Sequence, residues 1–117
     1  MRRAIAGVAL AVLAPAAFAH AFLERAEPRV GSAVAKAPDH VTLRFSEALE
    51  PAFSSVEVLD AGGRRVDRND RTVDPGDAAV MRVSVPALGP GRYRVKWRAL
   101  SADTHVTQGD FTFEVGR

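Results

Sequence analysis

The sequence predicts an all-β domain: an antiparallel Greek-key sandwich or barrel of the immunoglobulin-like kind, with about seven strands. Three observations predict it. Apolar and polar residues alternate with a period of two in several short runs, as in half-buried strands. Clusters of Gly, Pro and Asp separate those runs. Beyond residue 20, no segment carries the 3.6-residue apolar period of an amphipathic helix.

The chain begins with what reads as a secretory signal over residues 1–19. Met1-Arg2-Arg3 is the charged start, and Ala4 to Leu13 is an apolar run too short to span a bilayer as a helix. Pro15 breaks that run, and Ala17-Phe18-Ala19 supplies the small residues of a cleavage site. Cleavage after Ala19 is expected, leaving residues 20–117 as one domain in the periplasm.

Strands follow in order. Ala21 to Ala26 is the first, and Pro28, Gly31 and Pro38 punctuate the loop after it. Val41, Leu43 and Phe45 alternate with Thr42 and Arg44, and Pro51 marks a bend. Val56 and Val58 flank Glu57, and Asp60-Ala61-Gly62-Gly63-Arg64 is a hairpin-turn signal. Residues 64–78, rich in Arg and Asp, are expected to form a solvated loop with one short edge strand. Val83 and Val85 alternate with Arg82 and Ser84, and turn residues follow from Pro86 to Gly91. Tyr93, Val95 and Trp97 alternate with four basic residues in the clearest run of all. Phe111, Phe113 and Val115 make the last strand.

Bulk properties remove several function classes. A chain of 117 residues with 47% hydrophobic and 26% charged residues suits one globular domain and argues against disorder. The net charge is +2, but Arg2 and Arg3 belong to the signal; without them Lys+Arg falls from 16 to 14 against 14 Asp+Glu. With no basic cluster carrying interleaved aromatics, nucleic acid is not an expected partner. Cysteine is absent, which excludes disulfides, thiolate metal sites and cysteine nucleophiles.

The chemistry concentrates in Ser101-Ala102-Asp103-Thr104-His105. In an extended segment Asp103 and His105 would project from one face, so both can converge on a metal ion. After cleavage His20 becomes the N-terminal residue, offering its amine and its ring Nδ1 to the same ion. Nitrogen and oxygen donors in a tetragonal arrangement suit Cu(II), which also heads the affinity order of common divalent metals. Zn(II) uses similar donors in a tetrahedral arrangement. Each residue also has a plainer reading. An Asp-x-His turn can simply bond to backbone, and His20 can be an accident of the cleavage position. His40, beside Asp39, reads as a surface residue, while Met81, Tyr93 and Trp97 read as core.

These pieces resemble the CopC copper-resistance family of small periplasmic copper carriers. The resemblance rests on His20, Pro28-x-x-Gly31, Val41 to Glu47, Gly91-x-Tyr93-x-Val95-x-Trp97-Arg98, Ser101-Ala102-Asp103-x-His105, Gly109 and Phe111-x-Phe113, in that order. It implies one Cu(II) per chain, held by the terminal amine, His20, Asp103 and His105. It further implies that Glu47 lies close to the ion and bonds to the amine or to a ligand; the plainer alternative is a surface acid at a strand end. Two departures stand out. Some members carry a Met-rich loop with a histidine that binds Cu(I), whereas Arg64 to Asp77 contains neither Met nor His, so no Cu(I) site is expected. Val106 also follows His105 where the family usually has proline.

The expected function is non-enzymatic: a monomeric Cu(II)-binding protein for copper resistance, storage or delivery, with an inner-membrane copper transporter as candidate partner. Two alternatives differ in class. One is a copper-brace oxidative enzyme, disfavoured by the carboxylate ligand and the short chain. The other is a metal-free immunoglobulin-like structural domain.

Overall fold

The computed structural model describes residues 21–116; the expected signal, its cleavage point and His20 lie outside the described residues. Eight strands are described: β1 (Leu23–Glu27), β2 (Ala33–Val34), β3 (His40–Phe45), β4 (Ser55–Leu59), β5 (Thr72–Asp74), β6 (Asp77–Ser84), β7 (Gly91–Leu100) and β8 (Val106–Val115). A 3-10 turn at Pro51–Phe53 links β3 to β4, the bend expected at Pro51. The strands form two four-stranded sheets, ordered β1-β3-β6-β5 and β2-β8-β7-β4. The all-β sandwich expected from the sequence is the fold observed.

The period-two runs explain which faces meet. Val41, Leu43 and Phe45 of β3 pack against Val56 and Val58 of β4, Met81 and Val83 of β6, Tyr93 and Val95 of β7, and Phe111 and Phe113 of β8, all in one buried cluster. Met81 is fully covered, as expected for a core residue. On the outer face of β7, Arg94 donates to Asp110 at 2.6 Å, and Arg92 lies 3.9 Å from Glu114. Tyr93 buries its ring against Phe113 with centroids 5.5 Å apart. Its hydroxyl donates to the Gly89 carbonyl at 2.7 Å, tying the strand to the turn before it.

Several expectations need correction. The first strand begins at Leu23, two residues late, since the Phe22 amide bonds to the Ser46 hydroxyl and not to a backbone carbonyl of β3; within the strand the register with β3 shifts between Leu23 and Arg25. β2 was not foreseen: its two residues run parallel to the end of β8, the one parallel pair among the described strands. β8 starts at Val106 rather than near Phe111. Residues 106–110 include Gly109 and polar side chains with little strand propensity, yet they pair continuously with β7, from Leu100 opposite Val106 to Lys96 opposite Asp110. The Asp60 turn forms as expected, with Asp60 Oδ1 accepting the Gly62 and Arg64 amides at 2.9 Å each. It closes no long hairpin, however: a single bridge joins Leu59 to Arg65.

The segment after that turn is not a freely solvated loop. β5 supplies the expected edge strand, but Val66 and Val73 pack against the core and the Asp67 side chain is 0% exposed. Asp67 Oδ2 accepts the Val58 amide at 2.7 Å, Oδ1 accepts the Asn69 amide at 2.8 Å, and Arg65 Nε donates to both oxygens at 2.9 and 3.0 Å. This carboxylate pins the loop across the outer edge of β4, an edge that otherwise offers unpaired backbone groups.

Trp97 is half-buried rather than fully in the core. Its indole meets Phe45 edge-on, with centroids 5.1 Å apart and planes at 71°. Across the ladder it faces Gly109, where an added Cβ would stand 2.8 Å from Trp97 Cζ2. Glycine at 109 is thus what lets the indole lie flat on β8. Gly109→Ala is expected to displace the indole and destabilise the fold by about 1–3 kcal/mol. Thermal unfolding and the emission maximum of this single tryptophan test it; both unchanged would mean the indole has room to yield.

Candidate metal centre

The loop between β7 and β8 carries the Asp-x-His pair, and it is a tight turn rather than the extended segment expected. The Ser101 amide donates to the His105 carbonyl at 2.9 Å and the Thr104 amide to the Ser101 carbonyl at 2.8 Å. Thr104 takes φ +72°, a left-handed conformation unusual for a β-branched residue. The reversal, not strand alternation, brings the two side chains together: His105 Nδ1 stands 3.2 Å from Asp103 Oδ1.

Ser101 organises this turn from beneath. It is 1% exposed, and its hydroxyl donates to Asp103 Oδ1 while accepting the His105 amide at 3.3 Å. The Ser101 hydroxyl is the main reason the Asp103 carboxyl is held below its usual range; partial burial opposes the shift and His105 adds to it. Asp103 is accordingly a carboxylate at neutral pH. The side chains of His105 and Asp103 are 37% and 40% exposed, while His105 Nδ1, the nitrogen that faces Asp103, is itself covered.

Two other chain segments converge on this end of the sandwich. The Ala102 amide donates to the Ala48 carbonyl at 3.1 Å and the Glu50 amide to the Leu100 carbonyl at 2.8 Å, so the segment after β3 lies alongside the turn. Glu47 sits there with an exposed side chain. The start of the described chain arrives at the same end. Ala21 is fully buried, and its carbonyl accepts the Thr107 hydroxyl at 2.6 Å. The Phe22 amide donates to Ser46 Oγ at 2.9 Å, and the Ser46 amide returns a bond to the Phe22 carbonyl at 2.8 Å. Ser46 and Thr107 were not singled out by sequence reasoning, since a lone hydroxyl in a strand carries no signal of a distant backbone partner.

Among the described residues no group of three or more His, Asp or Glu side chains gathers into a metal cluster. His40 lies apart, half exposed, with Nδ1 3.0 Å from Asp39 Oδ1. Asp103 and His105 are therefore two donors open to others. The 3.2 Å between His105 Nδ1 and Asp103 Oδ1 is the distance of a direct ion-pair contact, so the two side chains lie side by side as one candidate pair of donors.

Comparison with known proteins identifies the family of this fold. The CopC domain profile matches residues 23–116. Copper resistance protein C of Escherichia coli is 38% identical over 106 residues, covering 85% of this chain and 83% of its own length. The copper transport protein CutJ of Bacillus subtilis (strain 168) is 31% identical over 109 residues, but this chain spans 20% of its length. Among solved structures, CopC from Methylosinus trichosporium OB3b superposes with TM-score 0.74 at 35% identity, covering 83% of this chain and 94% of that one. PcoC, described as a methionine-rich copper resistance protein from Escherichia coli, superposes with TM-score 0.71 at 36% identity, covering 83% and 99%. From the matching profile, the similar relatives and the shared fold together, the chain belongs to the CopC family of copper resistance proteins.

Proposed function

We propose that this protein is an exported, monomeric Cu(II) carrier that holds one ion between its processed N-terminus and the β7–β8 turn. The ligands in this reading are the terminal amine and ring of His20, the Asp103 carboxylate and the His105 imidazole. The supporting observation is that Asp103 and His105 stand together, 3.2 Å apart, at the end of the sandwich where buried Ala21 enters. Residue 20 is one Cα step, about 3.8 Å, from Ala21. Glu47, on the neighbouring segment, is the acid available to bond to the amine or to a ligand.

The donor set suits Cu(II) and not Cu(I). After the expected signal, Met81 is the sole methionine, and it is fully buried in the core. No soft thioether is available to select Cu(I), in contrast to the relative described as methionine-rich. The function is capture and hand-over of copper in the periplasm, with an inner-membrane copper transporter as recipient, and no chemistry on the metal.

The test compares protein beginning at a free His20 with protein carrying one extra residue ahead of it. A Cu(II) titration with EPR should show one tightly held ion and a nitrogen-rich tetragonal spectrum for the first, and loss of that spectrum for the second. Identical behaviour of the two would remove the terminal amine from the ligand set. Absence of binding in both would leave a CopC fold without a copper site.

A further inference from the structure

We propose that Thr107 and Ser46 are positioning residues: two hydroxyls, one on β8 and one at the end of β3, that clamp the backbone of residues 21 and 22 and so hold the chain's beginning in register with the Asp103–His105 turn. The proposal rests on the copper reading above, and it deepens that reading by naming what preorganises the site.

The geometry is two-sided. Thr107 belongs to the β2-β8-β7-β4 sheet and donates its hydroxyl to the Ala21 carbonyl at 2.6 Å. Ser46 follows β3 of the opposite sheet, accepts the Phe22 amide at 2.9 Å and donates its own amide to the Phe22 carbonyl at 2.8 Å. Two adjacent residues are thus gripped by both layers of the sandwich. This happens before β1 begins at Leu23, where strand pairing with β3 takes over. The Ser46 amide bond to the Phe22 carbonyl persists whatever side chain residue 46 carries, so the two hydroxyls add to it the hold on the Ala21 carbonyl and the Phe22 amide. Thr107 lies two residues beyond His105, about 7 Å along the chain. The hydroxyl that fixes Ala21 is therefore carried by the strand that continues from the metal-binding turn. Both hydroxyls act on backbone groups and are not themselves donors to the ion.

The physical consequence is preorganisation. Chelation by an N-terminal residue requires its amine and ring to be held near the other donors. If residues 20–22 moved freely, binding would have to order them first. Losing one such hydrogen bond corresponds to a weakening of up to about tenfold.

The experiment uses protein beginning at His20, with Thr107→Val (same shape, no hydroxyl), Thr107→Ser (hydroxyl restored) and Ser46→Ala. Two quantities are read: backbone NMR order parameters of Ala21 and Phe22 in the metal-free protein, and Cu(II) affinity by competition titration. The expected result is lower order at residues 21 and 22 and about tenfold weaker Cu(II) binding in Thr107→Val and Ser46→Ala. Thr107→Ser should be close to wild type in both, and the rest of the fold should keep its spectrum. Unchanged order and affinity in the valine variant, while an extra residue ahead of His20 still abolishes tight binding, would overturn the clamp and leave the copper reading standing. Reduced order with unchanged affinity would overturn the positioning role and make the clamp purely structural. If the extra residue also had no effect, the terminal amine would leave the ligand set and the clamp would have nothing to position.

Discussion

His105→Ala and Asp103→Ala should each weaken Cu(II) binding by on the order of 100-fold or more, since even loss of a residue that only orients a ligand costs 10- to 100-fold. The two variants should differ in kind. Removing His105 takes a nitrogen from the copper, and the nitrogen hyperfine structure in EPR should simplify. Removing Asp103 leaves the nitrogens and takes a negative charge, so the spectrum should keep its nitrogen pattern while the affinity falls. Neither change should unfold the protein. Both side chains are only partly covered, 37% and 40% exposed for His105 and Asp103, and the turn is closed by backbone bonds from Ser101 and Thr104 that substitution leaves in place. Unfolding temperatures of the metal-free variants should therefore stay close to wild type. Full retention of affinity by either variant would remove that residue from the site.

A stability effect as large as any should come from Asp67, outside the β7–β8 turn. Asp67→Ala strips the partner from the Val58 and Asn69 amides and from Arg65. With the Arg65 and Asn69 ends open to water, losing these bonds costs about 1–3 kcal/mol, or about 5–15 °C in unfolding temperature for a domain of this size. Asp67→Asn keeps one acceptor oxygen and should lose less. Burial by itself would raise the Asp67 carboxyl, but the Arg65 guanidinium and the Val58 and Asn69 amides outweigh it and hold the group below its usual range. A carboxyl depressed in the folded state contributes stability that is full above its unfolded pKa of about 3.9 and is lost as pH falls through the lower folded value. Thermal unfolding of wild type should thus weaken more steeply on acidification below about pH 4 than that of the asparagine variant. A shift of less than 2 °C for Asp67→Ala at neutral pH would show that the loop holds without its anchor.

Much of this protein was legible in the chain itself. Alternation at Val41-Leu43-Phe45 and at Tyr93-Val95-Trp97 fixes which side chains face inward, because a strand's period is set by backbone geometry alone. From that follow two sheets sharing one core. The absence of cysteine, the Asp103-x-His105 pair and a histidine after Ala-Phe-Ala narrow the chemistry to nitrogen and oxygen donors, because those are properties of residue types. Other features exist only through contacts distant in sequence. Asp67 looks like one of many acids in a polar stretch; it becomes an anchor because folding brings the Val58 amide to it. β8 extends back to Val106 because β7 is there to pair with, against the weak propensity of Gln108 and Gly109. Asp103 and His105 meet through a left-handed turn at Thr104 that no alternation rule foresees. Thr107 and Ser46 grip Ala21 and Phe22 across 86 and 24 residues of chain. A hydrogen bond between a hydroxyl and a distant backbone group leaves no periodic trace in sequence, so the arrangement of the end that carries Asp103 and His105 was decided by the tertiary structure.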